Sequence, residues 1–130
     1  MITGYADGLI CHWSIELSEK GFIITLVKPW LGHLHSINEI VIRNENPEQI
    51  QVFTFSNDCT ARIWDLGSDS CARVFKFADP VLCGLVDESR DFMFVGGWDK
   101  SVKALDLKKN EIDRSFIASR DSIRSMHLYD

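Results

Sequence analysis

One pattern is most complete in Thr54-Phe55-Ser56-Asn57-Asp58-Cys59-Thr60-Ala61-Arg62-Ile63-Trp64. Residues 3–13 and residues 95–105 can be aligned with it, and each copy has an Asp in a short polar turn and an apolar residue six positions later. Because side chains alternate between the two faces of a strand, this unit is typical of a strand–turn–strand hairpin. The aligned Asp7, Asp58 and Asp99 are 51 and then 41 positions apart. The sequence therefore predicts an all-β chain that uses one hairpin three times.

The composition is that of a folded domain with an acidic balance. Of the 130 residues 45% are hydrophobic and 25% are charged, and 14 basic against 19 acidic residues give a net charge of −5. No run of Lys or Arg is present, which argues against broad contact with a phosphate backbone. No apolar segment approaches the roughly 18 residues of a membrane span, and residues 1–7 lack the basic start and apolar centre of a signal peptide. We therefore expect a cytoplasmic or nuclear protein with no membrane partner.

The cysteines and histidines do not form a recognisable metal or disulfide pattern. Cys11, Cys59, Cys71 and Cys83 contain no Cys-x-x-Cys pair, so we expect reduced cysteines that pack as small apolar side chains. His33 and His35 are two positions apart, but no cysteine or carboxylate cluster accompanies them. The sequence predicts neither a bound metal nor a cofactor.

The second copy carries a resemblance to a known family. Gly32-His33 opens this unit, an Asp-centred hairpin turn follows, and Trp64-Asp65 closes it 31 residues after the histidine. This combination resembles the WD40 repeat of β-propeller proteins, whose blades repeat about every 40–45 residues. The resemblance implies antiparallel four-stranded blades.

The motif is weaker in the other two copies. The first keeps Asp7 and Trp13 but has Ser14 where the family prefers Asp. The third keeps Asp99 and Asp106, but it has Leu105 in place of Trp, and Ala78-Asp79-Pro80 stands where Gly-His is expected.

The resemblance divides the chain into blades. We expect a partial blade of three strands at 1–28, a complete blade at 32–77 with a loop at Asn44–Glu48, a complete but degenerate blade at 80–118, and the inner strand of a further blade at 122–130. Because propellers close with about 4–8 blades, about three repeats make a fragment that is not closed. Three explanations stay open: a piece of a longer protein, a short isoform or incomplete gene product, or a partial propeller completed by another subunit.

The resemblance also implies a structural set of four residues: His33, Ser56, Asp58 and Trp64 would form one hydrogen-bonded chain within a blade. Asp58, His33 and Ser56 are also the residue types of a hydrolase triad. Catalysis would require an exposed nucleophile and oxyanion donors, whereas the family implies a network locked beneath the turn. We therefore expect a structural role and no enzymatic activity.

What remains is a binding surface on the rim that the hairpin turns share, with His35, Asn57, Trp98, Lys100 and Arg120. Trp98 is the most informative of these, because Trp is enriched in binding hot spots. It could instead fold over the neighbouring blade and compensate for Leu105. We expect a non-catalytic scaffold that binds protein or peptide partners; an RNA-associated protein and the substrate-recognition part of a larger enzyme complex are the alternatives.

Overall fold

A computed structural model describes residues 1–44 and 48–129, and all regular secondary structure in these residues is β-strand. The strands are β1 (Ile2–Gly4), β2 (Ile10–Ser18), β3 (Gly21–Trp30), β4 (Ile37–Asn44), β5 (Ile50–Ser56), β6 (Thr60–Asp65), β7 (Ser70–Lys76), β8 (Val81–Asp87), β9 (Phe92–Gly97), β10 (Ser101–Asp106) and β11 (Glu111–Ile117). The predicted all-β class is confirmed. Most of the predicted loop at Asn44–Glu48 lies outside the described residues, as does Asp130.

The strands form three antiparallel sheets in chain order. The first sheet is β1-β2-β3, the second is β4-β5-β6-β7 and the third is β8-β9-β10-β11. Within each sheet, every strand pairs with the next strand along the chain, and none of the three described sheets closes on itself. This is the architecture expected of an unclosed propeller fragment.

The hairpin turn has the same local geometry in all three sheets. The carboxylates of Asp7, Asp58 and Asp99 each accept a hydrogen bond from the backbone N–H two residues later, at 3.1, 2.9 and 3.1 Å. The residue between has a left-handed backbone, with φ of 89° at Gly8 and 64° at both Cys59 and Lys100. An Asp side chain that bonds its own backbone two residues on stabilises such a turn. The repeat read from the sequence is therefore also a repeat of backbone conformation.

Two apolar clusters join the sheets. The cluster between the second and third sheets consists of Phe53, Phe55, Ala61, Ile63, Val81, Met93, Val95, Leu105 and Leu107. Ile10 and Trp30 pack against Val52 and Trp64 between the first and second sheets. Because strand β5 contributes to both clusters, it is buried on both faces, which suits its run of aromatic and β-branched residues.

The second and third sheets are also joined by polar contacts. Asp91 forms ion pairs with Arg43 at 2.9 Å and with Lys108 at 3.1 Å. Arg73 on β7 donates to the backbone carbonyl of Leu107 and to the side chain of Asn110. These contacts fix the turns after β8 and β10 against the second sheet.

Two segments differ from the sequence-based expectation. Strand β3 continues through Pro29 to Trp30 instead of ending at Lys28, and Pro29 pairs with Cys11. This is possible because β3 is an edge strand, where the missing N–H of proline faces outward.

The second difference concerns residues 122–129, which form no strand. Ile123 donates its N–H to the carbonyl of Gly97, as Ile37 at the start of β4 donates to Tyr5, so the segment begins beside the third hairpin. No other described strand pairs with it, and a strand requires a hydrogen-bonded neighbour. Residues 122–129 thus have no strand partner among the described residues, and the inner strand expected at 122–130 stays a prediction.

Candidate functional site

The His33 side chain lies at the centre of a buried hydrogen-bonded chain. Its Nδ1 is 2.9 Å from Asp58 Oδ2, and its Nε2 is 2.7 Å from Thr54 Oγ1. The indole Nε1 of Trp64 donates to the same Thr54 hydroxyl at 2.9 Å. His33, Thr54 and Trp64 are buried, and the Asp58 carboxylate is also enclosed. The chain connects the loop before β4 with strands β5 and β6 and the turn between them.

Burial sets the charge states of this network. Burial lowers the pKa of His33 by more than the hydrogen bond to Asp58 raises it, so the ring is neutral. Burial alone would raise the pKa of Asp58, but the hydrogen bonds from Thr60, His33 and Leu34 outweigh it and lower that pKa. A neutral His33 with its proton on Nδ1 can donate to Asp58 and accept the Thr54 hydroxyl proton. Every member of the chain is then satisfied, which makes a buried polar network stabilising.

Thr54, and not Ser56, is the hydroxyl residue of this chain. Residues 54 and 56 point to the same face of β5 but are about 7 Å apart along the strand. Trp64 is opposite Val52, so its indole reaches the diagonal neighbour at 54 and not the residue one pair further on. Thr54, two residues before Ser56 on β5, therefore takes the place in the hydrogen-bonded chain that we expected for Ser56, and that expectation was wrong.

The signal that identifies Thr54 was present in the aligned copies. Thr54 is four residues before Asp58, and Thr3 is four residues before Asp7. In the first sheet Trp13 Nε1 donates to Thr3 Oγ1 at 2.8 Å, which is the same bond that joins Trp64 to Thr54. Comparison of the two copies, rather than inspection of one, gives the correct residue.

The third sheet replaces the network by a different one. The positions that correspond to Thr54 and Trp64 are Val95 and Leu105, which are both buried and apolar. Lys103 pairs with Asp99 and also donates to Ser101 Oγ at 2.6 Å. Burial alone would raise the pKa of Asp99, but the hydrogen bond from Lys103 contributes to a net lowering. A lysine of the same hairpin thus takes the part that His33 has in the second sheet.

Ser56 and His33 do not form a catalytic pair. The Ser56 hydroxyl donates to the carbonyl of His35 at 3.0 Å and accepts from the N–H of Asp58 at 3.1 Å. Both ring nitrogens of His33 are occupied by Asp58 and Thr54. Asp58, His33 and Ser56 thus lack the nucleophile–base contact that a hydrolase triad requires.

The predicted rim residue Trp98 is exposed on the third hairpin. Its side chain is 58% exposed, so Trp98 does not fold over the neighbouring blade to compensate for Leu105. Leu105 is itself fully buried. The Trp98 N–H donates to the carbonyl of Pro80 at 3.2 Å. Lys100 is exposed, and its carbonyl accepts from the N–H groups of Ala118 and Ser119, directly before the exposed Arg120. Trp98, Lys100 and Arg120 are thus carried by one turn and the segment bonded to it.

Asn57 lies in the turn of the second hairpin and His35 lies in the loop before β4, and both are exposed. Asn57 bonds Ser36, the neighbour of His35, through both its backbone N–H and its side-chain amide, at 3.0 and 2.8 Å. Asn38, which sequence reasoning missed, donates to Asn57 at 2.8 Å and to the carbonyl of Val81 at 2.6 Å. Asn38 therefore links the turn at Asn57 to Val81. The preceding residue, Pro80, accepts the hydrogen bond from the Trp98 N–H through its carbonyl.

The cysteines are free thiols. Burial raises the pKa of Cys83 to about 11, and its Sγ lies 3.4 Å from the carbonyl oxygen of Ile123. Residues 1–44 and 48–129 contain no group of three His, Cys, Asp or Glu side chains arranged to hold a metal ion. Across those same residues, no helix has the length and apolarity needed to cross a membrane.

Comparison with known proteins gives distant relatives. No model of a known protein family matches the chain. It is 32% identical over 79 residues to the target of rapamycin complex subunit LST8 of Mus musculus, which is 59% of this chain and 24% of that protein. It is 25% identical over 120 residues to the pre-mRNA-splicing factor cwf17 of Schizosaccharomyces pombe, covering 92% and 33% respectively. It is also 25% identical over 118 residues to eukaryotic translation initiation factor 3 subunit I of Drosophila virilis, covering 89% and 34%.

These proteins and the structure agree on the class. The chain spans about a quarter to a third of the length of the relatives that it matches. The relatives are WD40-repeat proteins, and the chain has the antiparallel sheets that this class implies. The chain is therefore similar to WD40-repeat proteins, and its antiparallel sheets are consistent with a partial WD40 propeller.

Proposed function

We propose that the chain is part of a non-catalytic interaction scaffold, which binds protein or peptide partners through the rim formed by His35, Asn57, Trp98, Lys100 and Arg120. The observation that carries the proposal is Trp98, a large aromatic side chain that is 58% exposed and held on a rigid hairpin turn. An exposed indole with cationic neighbours is typical of the residues that dominate binding energy at interfaces. Lys100 and Arg120 would select acidic partners and orient them.

A scaffold role fits the chemistry of the polar residues. The His33 network holds a blade together and offers no accessible nucleophile. The relatives support the same role, because two of them are named as complex subunits, of the target of rapamycin complex and of translation initiation factor 3. These names also support an intracellular location for this chain, cytoplasmic or nuclear.

Substitution of Trp98 tests the proposal. Partners captured by the full-length protein would be compared with those captured by Trp98→Ala, with Ile112→Ala on β11 as a matched control that is 48% exposed. We expect Trp98→Ala to lose at least one partner that Ile112→Ala retains. If Trp98→Ala folds normally and keeps every partner, the proposed rim site is wrong.

RNA association is the second candidate, because one relative, which matches 92% of this chain, is a pre-mRNA-splicing factor. The net charge of −5 argues against it. Measuring affinity for single-stranded RNA at rising salt distinguishes the two candidates. Saturable RNA binding that weakens steeply with salt would favour RNA recognition, and peptide binding that changes little with salt would favour the scaffold.

We further propose that the three sheets are the blades at 1–28, 32–77 and 80–118, and that additional blades from a longer chain or another subunit pack against them. Phe22 on β3 is 73% exposed and Phe116 on β11 is 51% exposed, so apolar side chains remain uncovered at both outer sheets. Size-exclusion chromatography of the 130-residue chain should show self-association. A stable monomer that unfolds cooperatively would contradict this part of the proposal.

A further inference from the structure

Arg62 on β6 is a partly enclosed cation that has no partner among the described residues. Its Nε is fully buried and has no hydrogen-bond acceptor, and the guanidinium forms no ion pair with any residue in 1–44 or 48–129. Burial of a charged donor without an acceptor is costly, so guanidinium groups in such positions are normally paired. Other partly enclosed arginines do have acceptors: Arg43 pairs with Asp91, and Arg73 bonds Leu107 and Asn110.

Comparison of the hairpins shows why Arg62 is left unpaired. Arg62 is four residues after Asp58, and Lys103 is four residues after Asp99. Lys103 pairs with its own turn aspartate. Asp58 is already bonded to His33, Thr60 and the N–H of Leu34, so it is not available to Arg62. In the second sheet His33 therefore occupies the turn aspartate, Asp58, and Arg62 does not pair with it as Lys103 pairs with Asp99.

The loop before β4 lies directly against this guanidinium. A Cβ placed on Gly32 would come within 2.5 Å of Arg62 Nη1 and 3.0 Å of the Trp64 ring, so the guanidinium lies directly against the Gly32 backbone. Leu31 and Leu34 lie on either side of Gly32-His33 in the sequence of this loop, and their side chains are 79% and 78% exposed. Arg62 thus lies against a loop that carries two exposed apolar side chains, Leu31 and Leu34.

We propose that Arg62 binds a carboxylate of a protein partner, and that Leu31 and Leu34 contact apolar residues on either side of that carboxylate. Arginine suits this role because its planar guanidinium binds a carboxylate with two parallel hydrogen bonds. The ligand is therefore a short peptide segment with an acidic group between apolar residues. This site lies on a different hairpin from Trp98, and it stands whether or not Trp98 contacts a partner.

Peptide titration of the full-length protein tests the site. The probes are acetyl-Leu-Glu-Leu-amide, its neutral analogue acetyl-Leu-Gln-Leu-amide, and acetyl-Leu-Leu with a free carboxyl terminus. The readout is the NMR resonance of the Arg62 Nε–H group in the ¹⁵N-labelled protein. We expect a saturable shift with the Glu peptide and affinity about tenfold weaker for the Gln peptide, because a charged acceptor is lost. Tighter binding of acetyl-Leu-Leu would identify a chain terminus as the source of the carboxylate.

Two variants complete the test. Arg62→Gln should remove the preference for the Glu peptide, and Arg114→Gln, which changes an exposed arginine on β11, should leave it unchanged. Equal affinity for the Glu and Gln peptides in the unmodified protein, or no saturable shift with any carboxylate probe, would overturn the proposal. This comparison decides the matter even if Arg62→Gln does not fold. Loss of Trp98-dependent partners has no bearing on it, so the two proposals fail separately.

Discussion

Trp30 of the first sheet stacks on Trp64 of the second, with ring centroids 5.3 Å apart and planes inclined by 14°. Both rings are buried, and the Trp30 indole N–H donates to Asp69 Oδ1 at 3.1 Å. The last residue of one sheet therefore packs against the residue that completes the buried network of the next. Aromatic pairs of this kind stabilise by more than their buried area alone.

Removal of Trp30 should therefore separate the first sheet from the second. We expect Trp30→Ala to lower the free energy of unfolding by about 3–5 kcal/mol, since a large buried side chain is lost and a cavity remains. Chemical denaturation measures this. Trp98→Ala, which removes an exposed indole, should change the same quantity by less than about 0.5 kcal/mol. Equal effects of the two substitutions would contradict the packing described here.

The Thr54 hydroxyl should be essential to the network of the second sheet. Thr54→Val keeps the shape but leaves Trp64 Nε1 and His33 Nε2 without their partner, at about 1–3 kcal/mol for each buried group. Thr54→Ser keeps the hydroxyl and loses one methyl group, at about 1 kcal/mol. Denaturation should therefore find the Val variant less stable than the Ser variant. The reverse order would show that packing at Thr54 outweighs its hydrogen bonds.

These two sites show which features could be read from the sequence. The Asp turns at 7, 58 and 99 were predictable because a turn depends on residues close together in the chain. The choice between Thr54 and Ser56 depended on the register between β5 and β6, which is a property of strand pairing. The extension of β3 to Trp30 depended on the stack with Trp64, a contact between sheets. The single chain gave no local signal for this contact, and the unpaired state of Arg62 likewise became visible only from the three-dimensional arrangement.

Acid should destabilise the chain in two stages. The pKa of His33 in the folded chain is lowered from 6.5, so the unfolded state binds more protons at this residue. The contribution of His33 to stability is therefore complete above about pH 6.5 and is lost as the pH falls below that value. The folded pKa of Asp58 is lowered from 3.8, so its contribution is present above that value and is lost at lower pH.

Denaturation at a series of pH values checks the first stage. The free energy of unfolding should decrease between about pH 7 and pH 5 in the unmodified chain. In His33→Gln, which has no titrating ring at this position, the decrease should be smaller. If both proteins show the same dependence on pH, His33 is not the titrating group.

Gly84 on β8 should not tolerate a side chain. A Cβ at Gly84 would lie 1.9 Å from Phe55 Cζ, and Phe55 is fully buried between the second and third sheets. We expect Gly84→Ala to cost at least the roughly 1–3 kcal/mol that is usual for an overpacked core. Gly67→Ala is the control, because its Cβ would only reach 3.4 Å from Asp65 Oδ1. Thermal unfolding should show a clearly lower midpoint for Gly84→Ala alone; similar midpoints would mean that Phe55 can move aside.

The proposed rim around Trp98 should contact a protein partner directly. Site-specific photo-crosslinking tests it most directly: p-benzoylphenylalanine is placed at position 98 or, as a control of similar exposure, at position 112 of the full-length protein in cells. We expect a discrete crosslinked protein at position 98 that is absent at position 112. No adduct at position 98, or the same adducts at both positions, would contradict it.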